Sequence, residues 1–240
     1  MGTPIESQKR GMGPDVKARV VQRVVQVVLV TAFQAAILFL SAGALDWGWA
    51  WAFLGLYAGG ILINGAFLLR YNPQTVAERA SAEGMRDWDK VVGGLFGIVY
   101  FIAIPLLAGL DRRFGWSAMG LAGHAAGIVL FLPGFALFSW SMVANAHFST
   151  VVRIGQEDQH AVCDRGPYAH VRHPGYVGAV LQSLGVPLIL GSWWALPAGA
   201  AAALLLVVRT ALEDRALRQD LAGYRTYAER VRYRLVPGVW

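Results

Sequence analysis

The stretch VVQVVLVTAFQAAILFLSAGALDWGWAWAFLGLYAGGILINGAFLL, residues 24–69, holds one charged residue in 46 positions, Asp46. Asp46 divides it into apolar runs of 22 and 23 residues, Val24–Leu45 and Trp47–Leu69. A helix needs about 20 apolar residues to cross the hydrocarbon core of a bilayer. Each run therefore reads as one transmembrane helix, and with no charge inside either, both read as scaffold. The first run is longer than a signal-peptide core and starts after a polar 23-residue leader, so it is kept as a helix.

The same pattern continues outward. Val91–Leu110 adds a run of 20 residues. Phe114–Val152 is also uncharged, but it turns polar after Ala144 (Asn145, His147, Ser149, Thr150), which sets a span at about Ser117–Val143. The last run, Pro174–Val208, has 35 residues, too many for one straight helix. Pro187 and Gly191-Ser192 lie near its middle, where helix-breaking chemistry places a turn. Two packed helices joined by a tight hairpin are expected there, with one long kinked helix as the weaker reading. The fold class is thus all-α: a polytopic membrane protein of about six transmembrane helices with a cytoplasmic C-terminal helix. Only 15% of the 240 residues are charged, against roughly 25% in soluble domains, and successive runs of this length exclude a soluble domain.

Orientation follows from Lys and Arg. The leader carries Lys9, Arg10, Lys17, Arg19 and Arg23; the 70–90 loop has four such residues, the 145–173 loop three and the tail from Arg209 seven. Only Arg112 and Arg113 lie on the other side, a split of 19 to 2. Both termini and both long loops are expected in the cytoplasm. The net charge of +6 then reflects this bias and seating against anionic lipid headgroups, with no nucleic-acid partner. The 70–90 loop suits a short interfacial helix anchored by Trp88. Gly55 and Gly59 form a small-xxx-small pair able to pack helices. Three sections are expected: leader 1–23, four-helix scaffold 24–144, and a chemical core at 145–240.

The core holds four of the five histidines. Its loop, NAHFSTVVRIGQEDQHAVCDRGPYAHVRHPGYVG (145–178), leaves and re-enters the membrane within about 30 residues. Gly166-Pro167-Tyr168 is a turn signal, and Pro174 suits the first turn of the next helix. The free N–H groups of that turn can meet an anionic or polar ligand. By itself, an Arg172-His173 pair at such a helix start is more often a headgroup anchor than a catalytic pair. Downstream, LLLVVRTALEDRALRQDLAGYRTYAERVRYRL (204–235) places Arg209 and Glu213 on one helical face. Solvated i,i+4 ion pairs on a tail helix account for Arg215, Arg218, Asp220 and Glu229. They account less well for Arg209, which directly follows five apolar residues. No metal site is expected: His147, His160, His170 and His173 lack ligand spacing, and Cys163 is a lone thiol, which also rules out an internal disulfide. His124 reads as a packing histidine. Phosphate-loop, dinucleotide and nucleophile-elbow motifs are absent.

Taken together, His160-Ala161-Val162-Cys163, Gly166-Pro167-Tyr168 and Arg172-His173-Pro174-x-Tyr176-x-Gly178 resemble the isoprenylcysteine carboxyl methyltransferase family, with the phospholipid N-methyltransferases as wider relatives. Arg209-x-x-x-Glu213-Asp214, Leu217, Gly223, Tyr224-x-x-Tyr227 and Arg234 extend the likeness across about residues 145–240. The resemblance implies an S-adenosylmethionine site between the loop and the C-terminal helices. Its cofactor-binding residues would be His160, Ala161, Val162, Cys163, Tyr168, His173, Pro174, Gly175, Tyr176 and Glu213. Arg209 would be the catalytic, substrate-side arginine. The family often has Glu-Glu where this chain has Glu213-Asp214. A lipid-like or lipidated acceptor would enter from the bilayer and the cofactor from the cytosol.

The chemistry is consistent with that assignment. A sulfonium methyl group is already activated, so transfer needs alignment more than acid–base help, and alignment can supply roughly 7–11 kcal/mol. A carboxylate acceptor is ionised at neutral pH and needs a cation, which Arg209 offers through parallel hydrogen bonds. Phospholipid amine or small-thiol acceptors remain as alternatives, although they must first lose a proton. A sterol-reductase-like enzyme with a nicotinamide cofactor is the rival class. Such sequences tend to carry Asn after Arg-His-Pro and an acidic residue after the following Gly, where this chain has Gly175 and Ala179. A non-catalytic membrane protein would bind no cofactor at all.

Overall fold

The computed structural model describes residues 14–71, 86–145 and 162–240. Its helices are α1 (Pro14–Ala42), α2 (Gly48–Tyr71), α3 (Asp87–Phe114), α4 (Leu121–Ala144), α5 (Pro174–Ile189), α6 (Leu196–Asp220) and the short α7 (Tyr224–Arg230). The fold class is all-helical, and among the described residues five helices are long and apolar enough to cross a membrane. The sixth, α5, has 16 residues and completes the hairpin with α6. The hairpin reading holds over the one-helix alternative. The turn lies at Gly191-Ser192, with Gly191 in the left-handed region at φ +77°, while Pro187 stays inside α5. Trp88 belongs to the first turn of α3. The proposed interfacial helix before it, and the leader up to Gly13, fall outside the described residues.

Local chemistry explains the helix ends and irregularities. Asp87 and Asp89 in the first turn of α3 complement the positive end of the helix dipole. Within α3, one π turn spans Val99–Ala103, just before Pro105. Pro removes a donor and crowds the carbonyl four residues back, and a wider turn relieves both. At the end of the bundle away from the C-terminus, the Asp111 carboxylate accepts from the Ser117 N–H at 2.7 Å, the Ser117 hydroxyl at 2.6 Å and the Ser192 hydroxyl. This ties the α5–α6 turn to the α3–α4 connection. His124 is a packing residue, as expected: its Nδ1 lies 2.9 Å from the Ile189 carbonyl, and its ring stacks on Trp49.

The closest helix pairing is α4 on α5, and glycine makes it possible. A Cβ on Gly178 would lie 2.4 Å from the Gly134 carbonyl, and one on Gly127 would lie 2.5 Å from the Ile189 nitrogen. A Cβ on Gly185 would meet the Gly127 carbonyl at 2.8 Å. Backbones meet here with no side chain between them, as small residues allow in membranes. The pair singled out from the sequence, Gly55 and Gly59, does not do this job among the described residues. None of them lies within 4 Å of either Cβ position, and both glycines line an apolar groove of about 560 Å³ between α2 and α4. The main core gathers Leu38, Phe53, Ile104, Phe131 and Ile189 from five helices. Val20, Leu68 and Met142 cluster separately, at the end of the bundle where α5 begins and α6 finishes.

Candidate cofactor and acceptor site

Pro174 starts α5 at its first helical position, with His173 as the flanking non-helical residue. Pro fixes the backbone there without wasting a donor. The backbone N–H groups of Arg172 and His173, outside the helix, are then free to hydrogen-bond with the chain end. The Arg172 N–H donates to the Tyr233 carbonyl at 2.9 Å and the His173 N–H to the Arg234 carbonyl at 3.0 Å. The segment after α7 is thereby laid across the start of α5.

Asp214 sits at the centre of this junction with no exposed side-chain surface. Its Oδ1 accepts from Arg172 Nε at 2.7 Å and from the Tyr224 hydroxyl at 3.0 Å. Its Oδ2 accepts from Arg234 Nε at 2.9 Å, Arg218 Nε at 3.1 Å and Arg172 Nη2 at 3.2 Å. Arg172 Nη1 also donates to the carbonyls of Val231 and Arg232, both at 2.7 Å. A buried carboxylate is tolerated when guanidinium forks and hydrogen bonds satisfy it. Burial, followed by the charge of Asp214, pushes the Tyr224 phenol far above its ordinary range, so it remains a donor. Tyr227, raised in the same direction mainly by burial, donates to the Tyr168 carbonyl at 2.8 Å and ties α7 to the Gly166–Ala169 turn.

Glu213, one residue earlier, has different surroundings. Its side chain is 23% exposed, and its Oε2 accepts from the Tyr176 hydroxyl at 2.5 Å. Its Oε1 lies 3.9 Å from His173 Nδ1. Among the described residues no Lys or Arg lies within ion-pair distance of it. A half-open carboxylate held by a phenol and flanked by imidazole can take a cationic ligand. On the far side of Tyr176, the Arg209 guanidinium carbon stands 5.7 Å from the ring centre. Arg209 itself forms a bidentate pair with Asp89 of α3, at 2.6 Å from Nε and 2.9 Å from Nη2.

The residues expected from the sequence thus largely converge. Tyr168, His173, Pro174, Gly175, Tyr176, Arg209 and Glu213 all lie around the starts of α5 and α7 and the latter half of α6. Val162 packs against the Tyr224–Tyr227 cluster, and the Cys163 thiol lies 3.4 Å from the Ala144 carbonyl. His160 and Ala161 fall outside the described residues. Sequence reasoning missed Asp89, the central place of Asp214, and the roles of Arg172 and Arg234 as its partners. The solvated i,i+4 reading is corrected at Arg218, whose partner four residues back is the fully buried Asp214.

Residues 127–219, from mid-α4 to the end of α6, match the family described as "Isoprenylcysteine carboxyl methyltransferase (ICMT) family". The chain resembles the isoprenylcysteine carboxyl methyltransferases. Two curated rice proteins, from Oryza sativa subsp. indica and subsp. japonica, are each named probable protein-S-isoprenylcysteine O-methyltransferase. Each is 35% identical over 65 residues, 27% of this chain and 34% of theirs. Protein-S-isoprenylcysteine O-methyltransferase of Schizosaccharomyces pombe is 39% identical over 61 residues, 25% of this chain and 26% of its own. The chain therefore spans about a third or less of the curated relatives it matches. A solved structure of the eukaryotic intramembrane Ras methyltransferase, isoprenylcysteine carboxyl methyltransferase, superposes with a TM-score of 0.50 at 17% identity. The superposition covers 95% of this chain and 99% of that one, and this likeness shows that the two share the integral-membrane helical fold.

Proposed function

We propose that the chain is a membrane methyltransferase that uses S-adenosylmethionine to esterify the carboxylate of a lipophilic, isoprenylcysteine-like acceptor. One observation carries the reading. Of two adjacent carboxylates, Asp214 is saturated by three guanidinium groups, while Glu213 is half-open and, among the described residues, has only a phenol and an imidazole as polar neighbours. The donor set fits the cofactor, because Glu213 suits an ammonium group and the rings of Tyr168 and Tyr176 suit a flat partner. Val162, Cys163, Pro174 and Gly175 complete that side of the site. When bound, S-adenosylmethionine supplies a methyl group activated on sulfonium sulfur, which passes to a carboxylate oxygen with the C–S electron pair left on sulfur and no proton removed.

The chain's own contribution is placement. The Asp214 junction fixes the start of α5 against the end of α6, and Tyr176 holds Glu213 in one orientation. Arg209, deep in α6, orients the acceptor carboxylate by parallel N–H donors. The charge bias puts this end of the bundle on the cytosolic side, so cofactor arrives from water and acceptor from lipid.

The test is to incubate the purified protein with methyl-labelled S-adenosylmethionine and S-farnesylcysteine, then assay alkali-labile methyl ester. Ester should form, and Arg209→Ala should lower kcat/KM by about 10²–10³, as loss of an oriented charge does at other active sites. Undiminished turnover by Arg209→Ala would sink the role given to it. Label in a phospholipid amine instead would replace the acceptor.

A further inference from the structure

Asp89 lies 120 positions before Arg209, yet its carboxylate takes two N–H donors of that guanidinium in parallel. Its side chain has no exposed surface, and that of Arg209 is 10% exposed. A buried ion pair contributes little net stability, because desolvation offsets much of the attraction. Stability alone is thus a weak reason for placing it here. Its geometry is the one an acceptor carboxylate would adopt on the same arginine.

We propose that Asp89 is a specificity-determining residue of the site: a resident carboxylate that competes with the acceptor's carboxylate for Arg209 and thereby favours release of the methylated product. The inference rests on the assignment of Arg209 to the acceptor. An ionised acceptor matches Asp89 as a ligand for the guanidinium. Its methyl ester does not, because methylation removes the charge, and hydrogen bonds to a charged partner are about twice as strong as neutral ones. Once the ester has formed, Arg209 returns to Asp89.

The surroundings permit that exchange. Residue 93, one turn beyond Asp89 on α3, is Gly. A Cβ there would lie 3.8 Å from Asp89 Oδ1 and 3.9 Å from the guanidinium carbon of Arg209, so a longer side chain would cover the pair. The Tyr176 ring faces the same guanidinium and favours the cation whichever carboxylate holds it.

Calorimetry on the whole detergent-purified protein, without cofactor, separates the possibilities, with S-farnesylcysteine and its methyl ester as probes. The wild type should bind the acid more tightly than the ester. Asp89→Asn keeps the shape but removes the competing charge. It should tighten binding of both probes by about tenfold, and in turnover it should lower KM without raising kcat and strengthen inhibition by the ester. Asp89→Glu, which restores the charge, should return the wild-type pattern. Unchanged or weakened binding in Asp89→Asn would overturn the proposal and make Asp89 a structural partner only. If that variant does not fold, Asp89→Ser decides instead, because it also removes the charge, and binding no tighter than wild type overturns the competition. Arg209→Ala that still binds the acid like wild type would instead remove Arg209 from the acceptor site, a failure of the underlying reading.

Discussion

Glu213 and Asp214 are neighbours that differ by one methylene, and burial gives them different work. Removing one partner from a buried ion cluster leaves uncompensated charge and costs about 3–5 kcal/mol. Asp214→Ala should therefore lower the thermal midpoint sharply, measured by unfolding in detergent, whereas Glu213→Ala should leave it close to wild type. Tyr176→Phe removes the hydroxyl that orients Glu213, and calorimetry should show S-adenosylmethionine bound about tenfold more weakly. At this scale the sequence was readable where chemistry is local. Tyr176, His173, Glu213 and Arg209 sit in short motifs with fixed spacing. Asp89 was not readable, because its partner is 120 positions away and it sits in a mixed-charge segment that looks solvated. Arg218 reads as solvated because a carboxylate four residues before an arginine is the signature of an exposed helix pair, yet its partner Asp214 is fully buried. Arg172, His173, Tyr224 and Arg234, from elsewhere in the chain, enclose that carboxylate.

Among elements, the α4–α5 contact has the least slack. A side chain at Gly178 would run into the Gly134 carbonyl and the Phe138 nitrogen, and overpacking of this kind costs about 1–3 kcal/mol or more. Gly178→Val should lower the unfolding temperature and move the start of α5. Gly55→Ala, with open space around it, should do neither. The glycines that matter lie seven apart on each helix (Gly127 and Gly134, Gly178 and Gly185), a spacing that a search for small-xxx-small pairs passes over. The last ten residues are also part of the site, because carbonyls of Val231, Arg232, Tyr233 and Arg234 receive donors from Arg172 and His173. Deleting residues 231–240 should abolish S-adenosylmethionine binding even where the membrane helices still assemble, which size-exclusion chromatography and calorimetry together would show.

Across the whole molecule, hydropathy made the helices legible, since the first four uncharged runs each map onto one helix and the fifth onto the α5–α6 hairpin. Helix ends were less so. The third span begins at Asp87 rather than Val91 because acidic residues belong to the first turn of a helix, and α5 stops at Ile189, short of a full span. The two ends of the bundle differ in purpose. One is tied off by Asp111, Ser117 and Ser192 around the hairpin turn, and the other carries the paired carboxylates, their arginines and the C-terminal segment. The claim that this second end is a cofactor site is tested most directly by calorimetric titration of S-adenosylmethionine into the purified wild type and Glu213→Ala. Saturable binding is expected for the wild type, with its loss in the variant at an unchanged unfolding temperature. Equal binding by both proteins, or none by a folded wild type, would contradict that claim.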